Sequence, residues 1–133
     1  MDKVMNYDLV RREMNRRNID GLLATTGENV FYSSGLFAIP LWTRRTSQIF
    51  CFSTVNDLTN PIIINASGAL DEVADQFDEI PNIRRFGPRM IQPPREAPLS
   101  AVESRLDRML ATDEYPDIVE ATKQAIADSG CAS

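Results

Sequence analysis

Trp42, with Pro40 and Leu41 before it and Arg44 and Arg45 close behind, is the group of residues in this chain best suited to recognising a ligand. An indole offers a flat apolar face. A guanidinium fork beside it can take a carboxylate through two parallel hydrogen bonds. Together they suit a small molecule with an acidic end and an apolar body. Trp and Arg also concentrate at the hot spots of protein interfaces, so a protein surface is a second expectation. In the plainer alternative, Trp42 anchors its loop to the core and Arg44 and Arg45 point into water.

Catalytic groups are harder to find. The chain has no histidine. That removes Ser–His and Cys–His nucleophile pairs and the commonest imidazole metal ligand. A carboxylate-only site for Mg²⁺ or Ca²⁺ stays open in principle, but no D-x-D-x-D-G loop is present to build one. Glycine-rich phosphate loops, C-x-x-C, H-E-x-x-H and G-x-S-x-G patterns are also missing. Ser33 and Ser34, before Gly35, would need Lys, Asp or Glu as a base, and a turn-and-cap role is expected for them instead. Asp71, Glu72, Asp75 and Asp78 fall on what reads as the wet face of a helix, where carboxylates titrate ordinarily and have little catalytic leverage. We therefore expect no catalytic residue and no metal ligand in this chain.

Charge narrows the partners. With 14 Lys and Arg against 19 Asp and Glu, the net charge is −5 at neutral pH. Phosphate backbones repel such a surface unless basic residues cluster. They pair only at Arg11-Arg12, Arg16-Arg17, Arg44-Arg45 and Arg84-Arg85, and the first two pairs read as the solvated face of a helix. No nucleic-acid partner is expected. No apolar run approaches the roughly 20 residues that span a bilayer, and Met1–Asn6 has no signal-peptide stretch. The expectation is a cytoplasmic protein without membrane contact. Cys51, inside Ile49–Phe52, reads as a buried small hydrophobe. Two distant cysteines suggest no disulfide framework.

The elements that must position the tryptophan loop follow from periodicity. Residues 6–17 read as a helix capped by Asn6, with Leu9, Val10 and Met14 inward. Leu22–Thr25 reads as a short strand covered on both faces. Residues 28–35 read as a helical turn ended by Gly35, and 36–46 as a loop with exposed bulk, in which Pro40 blocks a helix. Residues 47–53 form a strand, and Ile62-Ile63-Ile64 form the clearest strand, interior to the sheet. A helix over 69–77 buries Leu70, Val73, Ala74 and Phe77. Residues 82–86 are a candidate edge strand. Residues 87–98, with four of the eight prolines, cross the surface as a loop. Ser100 and Glu103 make a capping box that opens a helix burying Val102, Leu106, Met109 and Leu110. A last helix after Pro116 has the stripe Ile118, Val119, Thr122, Ala125 and Ile126, with Gly130 behind it. Helices alternating with short buried strands mean one α/β domain over 1–133, its sheet flanked by helices.

The run Asn29-Val30-Phe31-Tyr32-Ser33-Ser34-Gly35, after Asp20-Gly21-Leu22-Leu23-Ala24, resembles the D-A-x-L … E-N-V-x-Y-x-S-G-[FY] signature of the creatinase/prolidase N-terminal domain. The order of elements from about residue 7 to 130 is similar too. Leu36, followed by Phe37, stands where that pattern has an aromatic. The resemblance implies an RNase H-like topology with a mixed, twisted sheet. It implies a further, C-terminal pita-bread domain in which Asp, Asp, His, Glu and Glu bind two divalent ions, such as Mn, Co or Zn, that activate water. It also implies a homodimer in which this domain sits over the partner's active site. The matching loop residues would be Trp42 or Leu41 for an aromatic, and Arg44 or Arg45 for a guanidinium.

On this reading the chain is an accessory and dimerisation domain of a hydrolase acting on Xaa-Pro dipeptides or a small C–N-bonded substrate such as creatine. Its partners would be its own catalytic domain, a second subunit and the substrate, and it would hold no cofactor itself. The alternative is a stand-alone ligand-binding or structural module without catalysis. An enzyme built on the carboxylates of 71–78 is the third reading.

Overall fold

The computed structural model of the chain describes residues 4–39, 49–88 and 98–131. Helix α1 spans Tyr7–Arg16, strand β1 Gly21–Ala24, helix α2 Gly27–Ser34, strand β2 Ile49–Thr54 and strand β3 Asp57–Ala66. A 3₁₀ turn at Ser67–Ala69 leads into helix α3, Leu70–Gln76. Strand β4 is Ile83–Phe86, helix α4 Ala101–Leu110, strand β5 Glu114–Tyr115 and helix α5 Ile118–Asp128.

The five strands form one sheet in the order β1-β2-β3-β4-β5. β2 pairs antiparallel with both β1 and β3, while β3, β4 and β5 run parallel. The result is a mixed sheet in which β2 runs against the other four strands. The β2–β3 register shifts between Phe52 and Thr54. Pro61, which has no N–H for a ladder, lies in the stretch of β3 facing that shift.

The three consecutive isoleucines show how the sheet is covered. Side chains alternate across a strand, so Ile63 joins one cluster and Ile62 and Ile64 the other. On the first face, Ile49, Cys51, Ile63 and Ile83 meet Val30 of α2, Leu70, Val73 and Ala74 of α3, and Met109 of α4. On the second face, Phe52, Ile62, Ile64 and Phe86 meet Ile118, Ala121 and Ala125 of α5. The helix–sheet–helix layering expected from the alternation of elements is present. α1 closes a third cluster, Met5 and Met14 against Leu58, with Leu22 and Val55 beside it.

Caps set the helix ends. The Asn6 side chain accepts from Leu9 N–H at 3.1 Å. Ser100 and Glu103 form the capping box in both directions, at 2.7 and 3.2 Å, and Asp117 accepts from Glu120 N–H at 2.9 Å. Gly130, expected behind the last helix, has a φ of 78°. Among the described residues, no helix is long and apolar enough to cross a membrane.

Three expectations change. β4 is an interior strand, because the two-residue β5 pairs with its far side. β1 is the edge instead and is not covered on both faces, since Leu23 stays exposed. Leu9 and Val119 are exposed as well. Neighbouring helix positions sit about 100° apart, so Val10 and Ile118 turn inward and Leu9 and Val119 turn out.

Candidate functional site

Trp42, Arg44 and Arg45 lie outside the described residues. The residues that flank their segment, Ile39 and Ile49, are described, and each is held by a distinct set of side chains.

The first end begins at α2. Thr26 caps it by accepting from Asn29 N–H at 3.3 Å. Gly35 ends it with a φ of 78°, and its N–H donates to Phe31 C=O at 2.7 Å. A left-handed residue costs glycine little and any other residue considerably more. Ser34 Oγ donates to Val30 C=O at 2.6 Å and accepts from Leu36 N–H at 3.1 Å. It is a turn-forming hydroxyl, as expected, committed to the backbone.

Beyond Gly35 the chain alternates. Leu36 and Ala38 are buried, while Phe37 and Ile39 are 48% and 61% exposed. The segment is therefore exposed only at every second residue, and Leu36 is a core residue, which the expectation of a bulky exposed loop did not foresee. The Phe37 ring stands edge-on to Phe31 at 6.3 Å.

α3 grips this segment. Phe37 N–H donates to Gln76 Oε1 at 2.8 Å, and Gln76 Nε2 donates back to Phe37 C=O at 2.7 Å. One turn earlier on α3, the Glu72 carboxylate accepts from Ile39 N–H. Burial pushes the Glu72 carboxyl above its usual range and the neighbouring Asp71 adds to this, while the Ile39 N–H opposes both. Glu72 Oε2 is buried without a hydrogen-bond partner. The expectation that Glu72 belongs to an ordinary wet face is corrected here, because the chain at Ile39 covers it.

At the second end, Ile49 pairs with Asn65 near the carboxyl end of β3. Asn65 is fully buried. Its Nδ2 donates to Ala69 C=O at 3.5 Å, and its Oδ1 has no partner. Arg85, opposite Asn65 on β4, ties the carboxyl end of β3 to the chain entering β5. Its Nε donates to Thr112 C=O at 3.0 Å and a terminal nitrogen donates to Ser67 Oγ at 3.0 Å, with Glu114 at 4.0 Å.

Several of the other paired arginines are also engaged. Arg84 donates to Asp128 at 2.9 Å and to Asn82 Oδ1 at 2.9 Å. Hydrogen bonds from Gln124 and then Arg84 hold the Asp128 carboxyl below its usual range. Arg16 pairs with Glu13 at 2.8 Å on the exposed face of α1. Arg11, half-buried, donates to Val55 C=O at 3.3 Å.

Cys51 is buried, and burial pushes its thiol up to about 12. A thiol so placed is inert as a nucleophile. Among the described residues no group of three or more His, Cys, Asp or Glu gathers, so that part of the chain offers no ready metal site. A groove of about 240 Å³ opens near the end of α2, lined by Ser34, Pro61, Ile63, Phe77, Ile80 and Pro81 among others, with Glu79 its one charged residue. It is unsuited to an anionic ligand.

Sequence reasoning missed the Gln76–Phe37 pair and the Arg85 bridge. The partners of the first lie 39 residues apart, and no local pattern announces such a contact. The chain matches no family model, no curated protein and no solved structure.

Proposed function

We propose that this chain is the non-catalytic N-terminal domain of a creatinase/prolidase-type hydrolase, and that it helps to build the dimer and to close the partner subunit's substrate pocket. The observation that carries the reading is the run Asn29–Gly35. It makes up most of α2 and ends on a left-handed glycine. The order of helix, strand, motif helix, hairpin and crossover helices supports it. RNase H-like topology is the finer arrangement we assign to the mixed sheet.

In this role Arg44, or Arg45, takes the substrate carboxylate through paired N–H donors, and Trp42, or Leu41, covers its apolar part. Both act by positioning. Water activation belongs to the metal ions and ligands of the catalytic domain, and no residue of this chain is assigned a proton transfer. Arg44→Ala in the complete protein tests the role. A charge-assisted hydrogen bond contributes about 1.5–3 kcal/mol, so KM for an Xaa-Pro dipeptide or creatine should rise about tenfold or more. Unchanged KM and kcat for every candidate substrate would remove the loop from the site.

A further inference from the structure

We infer that Gln76 and Glu72 form a two-rung clamp by which α3 fixes the point where the chain departs at Ile39. The clamp stands independently of the function proposed above.

Gln76 and Glu72 are four apart on α3, about 6 Å along its axis, so both reach the same stretch of chain, at Phe37 and Ile39. Gln76 supplies both a donor and an acceptor to Phe37. Glu72 supplies an acceptor to Ile39. Burial of Leu36 and Ala38 locks the segment's other side.

The two rungs are unequal. Gln76 is neutral and satisfied in both directions. Glu72 holds one backbone N–H and leaves a buried oxygen without a partner. Gln76 is thus the positioning residue, and Glu72 is the weaker member. α3 is itself tied to α4 by Arg105, which donates to Ala74 C=O at 3.0 Å, so the clamp is anchored in the layered core.

The test is amide hydrogen exchange on the 133-residue chain, with the Ile64 amide in the sheet centre as internal reference. Gln76→Met keeps the size and helix propensity of the side chain and deletes both bonds. The Phe37 amide should exchange at least about tenfold faster relative to Ile64, since a lost hydrogen bond contributes about 1 kcal/mol or more. Gln76→Glu retains an acceptor and should keep Phe37 protection within about threefold of the native chain. Equal acceleration of Phe37 and Ile64, or no acceleration of either, would overturn the clamp. Failure of the Arg44→Ala test alone would remove the loop from the substrate site and leave the clamp standing.

Discussion

The two faces of the sheet are built on different principles. The first is covered by helices drawn from three places in the chain, and its contacts are aliphatic: Ile49, Ile63 and Ile83 against Leu70, Val73 and Met109. The second is covered by α5 alone, which sets Ala121 and Ala125, one turn apart, against the rings of Phe52 and Phe86. On the first face bulk comes from both layers. On the second, the helix contributes two alanines beside Ile118, and the strands supply most of the bulk. The segment 36–39 belongs to the first face, through Leu36, Ala38 and the grip of α3. The segment 36–39 is thus coupled to the three-helix core, while α5 acts as a separate brace.

Breaking the first face should cost most. Ile63→Ala removes a fully enclosed side chain at the centre of the sheet, and such truncations destabilise by about 2–5 kcal/mol. Urea unfolding should show it, together with faster Phe37 exchange. Overfilling the second face should cost less. Ala125→Leu pushes three extra carbons toward Phe52 and Phe86, for about 1–3 kcal/mol, and should leave Phe37 exchange relative to Ile64 unchanged. A change there would dissolve the separation between the faces.

Smaller effects sharpen the picture at the site. Gly35→Ala places a side chain at a φ of 78° and should cost about 1–2 kcal/mol, read as a lower thermal midpoint. The smallest effect is expected at Glu72. Because its folded carboxyl is raised, ionisation opposes folding. The penalty is absent below the unfolded value of about 4.3, develops as pH rises from there through the raised folded value, and is constant above it. Glu72→Gln keeps an acceptor for Ile39 without the charge. It should stabilise the chain at pH 7 and lose that advantage at about pH 3.5, in paired denaturation curves.

Much of this architecture was legible because its signals are local. Three adjacent isoleucines can only divide between two faces. Ser100 with Glu103, and Gly35 after a short apolar helix, carry their own cap chemistry. What was not legible depends on partners distant in the chain. Glu114-Tyr115 is too short for any periodicity, and missing it made β4 look like an edge. Leu9 and Val10 compete for one inward position, and only the packing of α1 on Leu58 decides. Gln76 reads as an ordinary polar residue at the end of a helix until Phe37 is brought against it. The aromatic and guanidinium expected at the site, Trp42 and Arg44, rest on residue type and resemblance.

If the reactive groups belong to a further catalytic domain, as proposed, and these residues only frame its pocket, this chain alone should be inactive. A parallel assay tests it: the purified 133-residue chain and the product of the complete reading frame, each offered Xaa-Pro dipeptides and creatine with Mn²⁺, Co²⁺ or Zn²⁺. The account predicts turnover by the complete protein and none by the chain. Turnover by the chain alone, or inactivity of the complete protein toward every such substrate, would contradict it.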